Sequence, residues 1–287
     1  MPSHDVDVAL AAKTIISEVA PYYIAFSKIY KCTAGKFQSL EELLGQHHLH
    51  PKTAKDYQIA IGENSIVIGS TGSALSYKRY VNRELKAEVM IVSDREQVAV
   101  GIFPNPPVLT PKAVAKNVYL KFRSPVIVDQ RSQVTIYAKM PIEIGVYRQS
   151  KDEEILVDAF SLRRQQYALY GSPDSGVVCR YIETELSTNK DDIKPAKYEE
   201  ALVRIKIKND IDNVVKVSRV IIPMDGVVLD HAHDDSWLPG SVEMTLDSAF
   251  GKDIVNVRLT STKVKRPDKT SVVKREDTLV FLMDAGY

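Results

Sequence analysis

From Tyr57 onward the chain alternates apolar and polar residues with a period of two, and this restricts its fold more than any other feature. In NVYLKF (117–122), Val118, Leu120 and Phe122 share one face while Tyr119 and Lys121 take the other. QVTIYAKM (133–140) places Val134, Ile136, Ala138 and Met140 together, and LVRIKIK (202–208) sets Val203, Ile205 and Ile207 against Arg204, Lys206 and Lys208. VNVRL (255–259) repeats the pattern. A helix cannot use such a period, whereas a strand covered on one side requires it. Turn-forming stretches such as IGEN, STGS, VSDRE, YGSPDSG, KNDIDN and PMDG separate the runs. Short strands without intervening helices predict a mainly β fold of antiparallel, sandwich-like sheets.

In VVKVSRVII (214–222) the alternation breaks, since continuing it would turn Arg219 inward. A β-bulge near Ser218 is expected, burying both Val217 and Val220 and sending Arg219 to solvent or a carboxylate.

The first fifty residues follow a different rule. Val8, Ala12, Ile15, Ile16 and Val19 form one apolar stripe at helical spacing, ended by Pro21. SLEELLG carries a capping box, Ser39 with Glu42, and a terminating Gly45. Short helices over 6–19 and 39–44 are therefore expected, within an extension over residues 1–50. FPNPPVLTPK (103–112) holds four prolines without amide donors, which predicts an extended crossover outside any central strand. The polar STNKDDIKPAK (187–197) is the expected boundary between β-sandwich domains at 55–190 and 195–287.

Thirty-eight basic residues oppose thirty-seven acidic ones, so no global charge draws the chain to nucleic acid or anionic lipid. No run of about 18 apolar residues offers a membrane span. MPSHDVDVALAAK lacks a basic start and an apolar core, and Cys32 and Cys179 form no CxxC. A soluble, cytoplasmic protein is expected.

PIEIGVY (141–147), DAFSLRRQQYALYG (158–171), SGVVCRY (175–181) and VFLMDAGY (280–287) together resemble the archaeal proteins grouped as domain of unknown function 432. The resemblance covers roughly residues 55–287. It implies an archaeal, cytoplasmic protein and carries over no catalytic residue, ligand or activity.

Candidate sites must then be read from the residues. In YALYGSPDSGVVCRY (167–181) a hairpin is expected, with its tyrosines and Cys179 packed in the core. Arg163 and Arg164, with Tyr167, Tyr170 and Arg180, are candidates for holding a carboxylate or phosphate; an acidic loop such as Asp152-Glu153-Glu154 would satisfy the arginines equally well. His231, His233 and Asp235 would share a face if VVLDHAHDDSW were a strand, and two imidazoles with a carboxylate suit Zn²⁺ or Fe²⁺. The competing expectation is a polar hairpin loop in which they diverge. His47, His48 and His50 read as solvated capping at a helix end. The basic run 263–275 contains no aromatic residue for stacking and reads as a solvated hairpin tip.

No Gly-rich phosphate loop, paired-carboxylate pattern or Ser/His/Asp order is evident, and no cofactor is expected. The leading functional expectation is a non-enzymatic binding or assembly module whose partner is an unknown protein or a second copy. A metal-dependent small-molecule enzyme using His231, His233 and Asp235 is the alternative. Carbohydrate binding through surface tyrosines is a third reading, suggested by the fourteen tyrosines.

Overall fold

The computed structural model describes residues 43–49, 56–70, 73–93, 98–109, 116–149, 154–224, 226–233, 235–249, 252–260 and 279–282. In chain order its strands are β1 (Gly45–Leu49), β2 (Tyr57–Ile61), β3 (Asn64–Ser70), β4 (Ala74–Val81), β5 (Glu84–Val92), β6 (Val98–Asn105), β7 (Asn117–Val128), β8 (Gln133–Pro141), β9 (Glu143–Gln149) and β10 (Glu154–Phe160). They continue with β11 (Tyr167–Tyr170), β12 (Val177–Thr184), β13 (Glu200–Asn209), β14 (Val215–Pro223), β15 (Asp230–Ala232), β16 (Asp235–Trp237), β17 (Ser241–Ala249), β18 (Lys252–Thr260) and β19 (Leu279–Leu282). The fold is mainly β, as the alternation predicts. No helix among the described residues is long and apolar enough to cross a membrane.

Four sheets result. One is the antiparallel meander β2-β3-β4-β5, and a second orders β1-β6-β9-β10. The third orders β11-β12-β7-β14; the fourth runs β15-β16-β13-β17-β18-β19, with β8 also pairing β13. A single apolar cluster joins all four, including Ile66 and Tyr77 of the first sheet, Ile102 and Ile144 of the second, Leu120 and Ile222 of the third, and Ile205 and Leu246 of the fourth. The inward faces of β7, β8, β13 and β18 are those read from the sequence, with Leu120, Ala138, Val203 and Val257 all buried.

Strand direction departs from the antiparallel expectation. β7 runs parallel to β12, and β13 runs parallel to both β16 and β17. A period of two reports burial on one face but not direction, and none of these pairs is joined by a hairpin. The third and fourth sheets also draw strands from both sides of 187–197: β13 pairs β8 and β14 pairs β7.

The Arg219 expectation holds, with Val217 and Val220 buried and Arg219 outward. The register jumps from Val217↔Val126 to Arg219↔Lys121, so four residues of β7 (122–125) lie opposite Ser218 alone. Pro125 stands in that stretch, where no amide donor is available for a regular ladder.

Two expectations fail. Gly45 does not end a helix: it opens β1, which pairs residue by residue with 98–102. The apolar run at the start of β6 takes a strand neighbour on this side, and that pairing overrides the local helical pattern. Ser39, Glu42, His50 and the 6–19 stripe lie outside the described residues. The proline-rich segment, too, does not stay outside the sheet, because Phe103, Pro104 and Asn105 complete the central strand β6. Pro104 is tolerated there because β1 stops pairing at Ile102, leaving β9 as the only neighbour at that level among the described residues.

β6 and β9 also show how small residues seat large ones. Gly101 pairs with Tyr147 and Phe103 pairs with Gly145. A Cβ on Gly101 would stand 2.3 Å from the Phe103 ring, and one on Gly145 would stand 2.3 Å from Asn105 Nδ2 and 2.6 Å from the Tyr147 ring.

Candidate functional site

Three of the stretches that carry the family resemblance meet in space, while the last, 280–287, lies largely outside the described residues. Glu143 on β9, Gln165 before β11, Tyr167 on β11 and Arg180 on β12 form one polar network. Arg180 and Glu143 are 3% and 0% exposed, so an ion pair lies inside the protein. The guanidinium donates from Nη2 to Glu143 Oε1 (3.0 Å), from Nε to the Pro107 carbonyl (2.8 Å), and from Nη1 to Gln165 Oε1 and the Tyr167 hydroxyl. It also lies over the Tyr167 ring, 4.5 Å from the centroid. Glu143 accepts further from Gln165 Nε2 (3.1 Å) and from the Leu109 amide (2.8 Å). A guanidinium held on every side in this way joins β9, β12 and the proline-rich turn.

The other arginine candidates separate. Arg163 pairs with Glu200, and the second Glu200 oxygen accepts from the Ala196 amide (3.1 Å); Asp152 and Glu153 lie outside the described residues. Arg164 is exposed and does not join the Arg180 network. A partly buried pair ties the first sheet to the second: Arg79 Nε donates to Asp158 Oδ2 (2.6 Å), as does the Tyr77 hydroxyl (2.7 Å). Burial first, and then the Asp158 charge, push the Tyr77 phenol far above its usual value.

The 167–181 stretch is a hairpin, closed by the Gly176 amide donating to the Ser172 carbonyl (2.7 Å). Cys179 is fully buried, and burial pushes its thiol up to about 11. A thiol held protonated at neutral pH is not a nucleophile.

His231 and Asp235 lie on the two arms of a hairpin, opposite Ser236 and Ala232 respectively. His233 occupies the turn at φ +49°. The alternation that would bring the three side chains to one face therefore stops at Ala232. The His231 ring packs against Phe103, with centroids 5.6 Å apart. No group of three or more His, Cys, Asp or Glu able to hold a metal occurs among the described residues. His47 and His48 lie in β1, where the His47 ring contacts the Leu43 carbonyl (3.0 Å), so neither caps a helix.

What the sequence did not single out is the outward face of the third sheet. β7 sends Tyr119, Lys121 and Arg123 outward, and the parallel register sets Tyr181 beside Tyr119 and Glu183 beside Lys121. The Tyr119 ring lies 5.6 Å from Tyr181 and 6.4 Å from Tyr170. Across β7 from Tyr181, Arg219 donates to the Tyr119 hydroxyl (3.4 Å), with its guanidinium 6.0 Å from the Tyr170 ring centroid. Two other cations on this face have acid partners, Lys121 with Glu183 (3.9 Å) and Arg123 with Glu185, whereas Lys216, outward on β14 opposite Ile127, forms no ion pair among the described residues. Arg219 has no carboxylate within ion-pair distance among the described residues. Burial raises the Tyr170 phenol above its usual value, against the opposing charge of Arg219. Of the candidates, Tyr170 belongs to this face and Arg180 to the buried network, which the 41% exposed Tyr167 closes at the surface, so of the hairpin residues expected in the core Cys179 is buried and the tyrosines are not. The bulge was the available pointer to Arg219; nothing local joined it to Tyr119, a hundred residues earlier.

No curated protein and no solved structure matches the chain. The sequence model of the family described as protein of unknown function (DUF432) matches residues 44–284. That span takes in the buried Glu143–Arg180 network, the 167–181 hairpin and the tyrosine face alike, and the chain belongs to this family.

Proposed function

We propose that the protein is a non-enzymatic binding module whose ligand face is the Tyr119–Tyr170–Tyr181–Arg219 surface. The observation that carries this is Arg219, set among tyrosines with no carboxylate in ion-pair distance among the described residues, while Lys121 and Arg123 on the same face are paired. Tyrosine and arginine are the residue types that most often anchor recognition, since they offer rigid apolar area with polar edges. The polar groups inside the fold support the same reading, because Arg180 and Arg79 are occupied in joining strands, and Arg163 at the surface is paired with Glu200.

The test is a ligand-observed NMR screen of small acids, amides and saccharides against the wild type and a Tyr170→Ala/Arg219→Ala variant. The expected result is a saturable ligand class that the variant loses while its Tm stays within a few degrees. A wild type that binds nothing at millimolar concentration, or a variant that binds equally well, overturns the proposal. The alternative of a metal-dependent enzyme on His231, His233 and Asp235 is tested by elemental analysis of untagged protein. No stoichiometric Zn, Fe or Mn is expected; one metal per chain, lost in His231→Ala/His233→Ala, would establish the alternative.

A further inference from the structure

Trp237, the chain's only tryptophan, points away from the core. Its neighbour Ser236 is buried, and adjacent side chains of a strand take opposite faces. Trp237 stands level with Leu202 of β13, whose own neighbours Ala201 and Val203 are fully buried. On the far side of β13, β8 sets Lys139 level with Leu202 and Tyr137 level with Arg204. The outer face of the fourth sheet therefore presents Trp237, Leu202, Arg204, Tyr137 and Lys139 together, Arg204 exposed and the others half-buried. Two strand spacings and an offset of two residues root the two rings roughly 10–12 Å apart. Behind them Val203, Ile205 and Ala138 are 0% exposed, so the rings stand on a packed layer.

These side chains are not spent inside the fold. The Tyr137 hydroxyl, the Trp237 indole N–H, the Arg204 guanidinium and the Lys139 ammonium make no hydrogen bond or ion pair with another described residue. On the same face the cations further along β13 are matched, Lys206 with Glu243 (3.4 Å) and Lys208 with Asp210 (2.7 Å). The two ends of the surface differ in sign. Asp230 lies level with Trp237, and Asp235 precedes it by two residues on the same side, whereas Tyr137 stands between Arg204 and Lys139. A polyanion would be repelled at the tryptophan end and a polycation at the tyrosine end. A neutral saccharide is repelled at neither. Its hydroxyls both donate and accept, so Arg204 and Lys139 can donate to them and Asp235 can accept. The apolar faces of its rings can lie on Trp237 and Tyr137, which pair flat apolar area with a polar edge.

We infer that the outer face of β16, β13 and β8 binds an extended neutral saccharide, one sugar ring on Trp237 and another on Tyr137. This site lies on a different sheet from the Arg219 surface and does not depend on it. It gives the carbohydrate reading a place that the number of tyrosines alone did not.

The experiment titrates full-length protein with maltohexaose, cellohexaose, xylohexaose and mannohexaose, following the emission of Trp237, the only indole in the chain. At least one of these is expected to shift the emission saturably at millimolar concentration or below. Its monosaccharide, which reaches one ring only, should bind about tenfold more weakly, and Tyr137→Ala should weaken the oligosaccharide by a similar factor. Tyr137→Phe, which keeps the ring, should retain most of the affinity, and Arg204→Ala, at an exposed position, should lose a few-fold without a change in Tm. Tyr170→Ala/Arg219→Ala should bind the sugar as the wild type does. No response to any of the four sugars, a monosaccharide as tight as its oligomer, or unchanged affinity in Tyr137→Ala overturns the inference. A short oligothymidylate that shifts the emission where the sugars do not would replace it with single-stranded nucleic acid. Saccharide binding lost only in Tyr170→Ala/Arg219→Ala would overturn it while leaving the Arg219 surface standing.

Discussion

Cys179 and Arg180 are sequence neighbours that point to opposite sides of β12, and both are buried. Arg180 is the more consequential, because Glu143 has no exposure and depends on it for charge compensation. Replacing Arg180 by Met should cost about 3–5 kcal/mol in urea denaturation, since it strands a buried carboxylate. Adding Glu143→Gln should recover part of that loss, and a single variant within about 1 kcal/mol of wild type would show that the pair is dispensable. For Cys179 the thiol stays protonated in the fold up to about 11, above its ordinary value. Between the unfolded and folded values the native state therefore holds the proton more tightly, and stability should fall as pH rises from about 9 toward 11. At pH 8 only about one part in a thousand would be thiolate. Iodoacetamide on a Cys32→Ser background should accordingly label Cys179 slowly in the native protein and fast in urea.

At the scale of elements, β6 and β9 depend on glycine and aromatic residues fitting one another. Gly145→Ala would drive a methyl into Asn105 and the Tyr147 ring. The Tyr147 hydroxyl already donates to Asn105 (2.8 Å), so neither can withdraw freely. A loss of about 1–3 kcal/mol is expected from overpacking, checked by thermal or urea unfolding; an unchanged Tm would show that the ring has room to move. Much at this level was legible in the sequence. The faces of β7, β8, β13 and β18 follow from period two, and the displaced Arg219 follows from a broken period. β1 was not legible, because GQHHL has no strand pattern of its own and becomes a strand only beside Val98–Ile102. Pro104 was misplaced for a related reason: its tolerance depends on where β1 ends. The Glu143–Arg180 pair was half visible, with Arg180 standing out among apolar residues and Glu143 hidden in PIEIGVY. The tyrosine face was not legible, since Tyr119, Tyr170, Tyr181 and Arg219 meet only through a parallel register that no local pattern encodes.

At the scale of the molecule, the polar segment at 187–197 separates strands that nevertheless share sheets. β8 and β13 are matched from Gln133↔Lys208 to Pro141↔Glu200. Limited trypsin digestion after the exposed Lys190 or Lys197 should therefore give two fragments that co-elute as one species, separating only in denaturant. Fragments that part under native conditions and keep their β spectra would instead establish two independent domains at 55–190 and 195–287. The central strand β7 has a further consequence, for the order in which the molecule assembles. Its neighbours are Arg180 opposite Val118 and Val220 opposite Leu120, partners synthesised 62 and 100 residues later. The β2–β5 meander closes over local turns and can form early, whereas β7 must wait for β12 (Val177–Thr184) on one edge and for β14 (Val215–Pro223) on the other. Such non-local pairing is slow, on the order of milliseconds to seconds or longer. During that interval β7 is a free strand edge able to join another nascent chain. Refolding yield should then fall steeply with protein concentration, and slower synthesis at lower temperature should raise the soluble fraction.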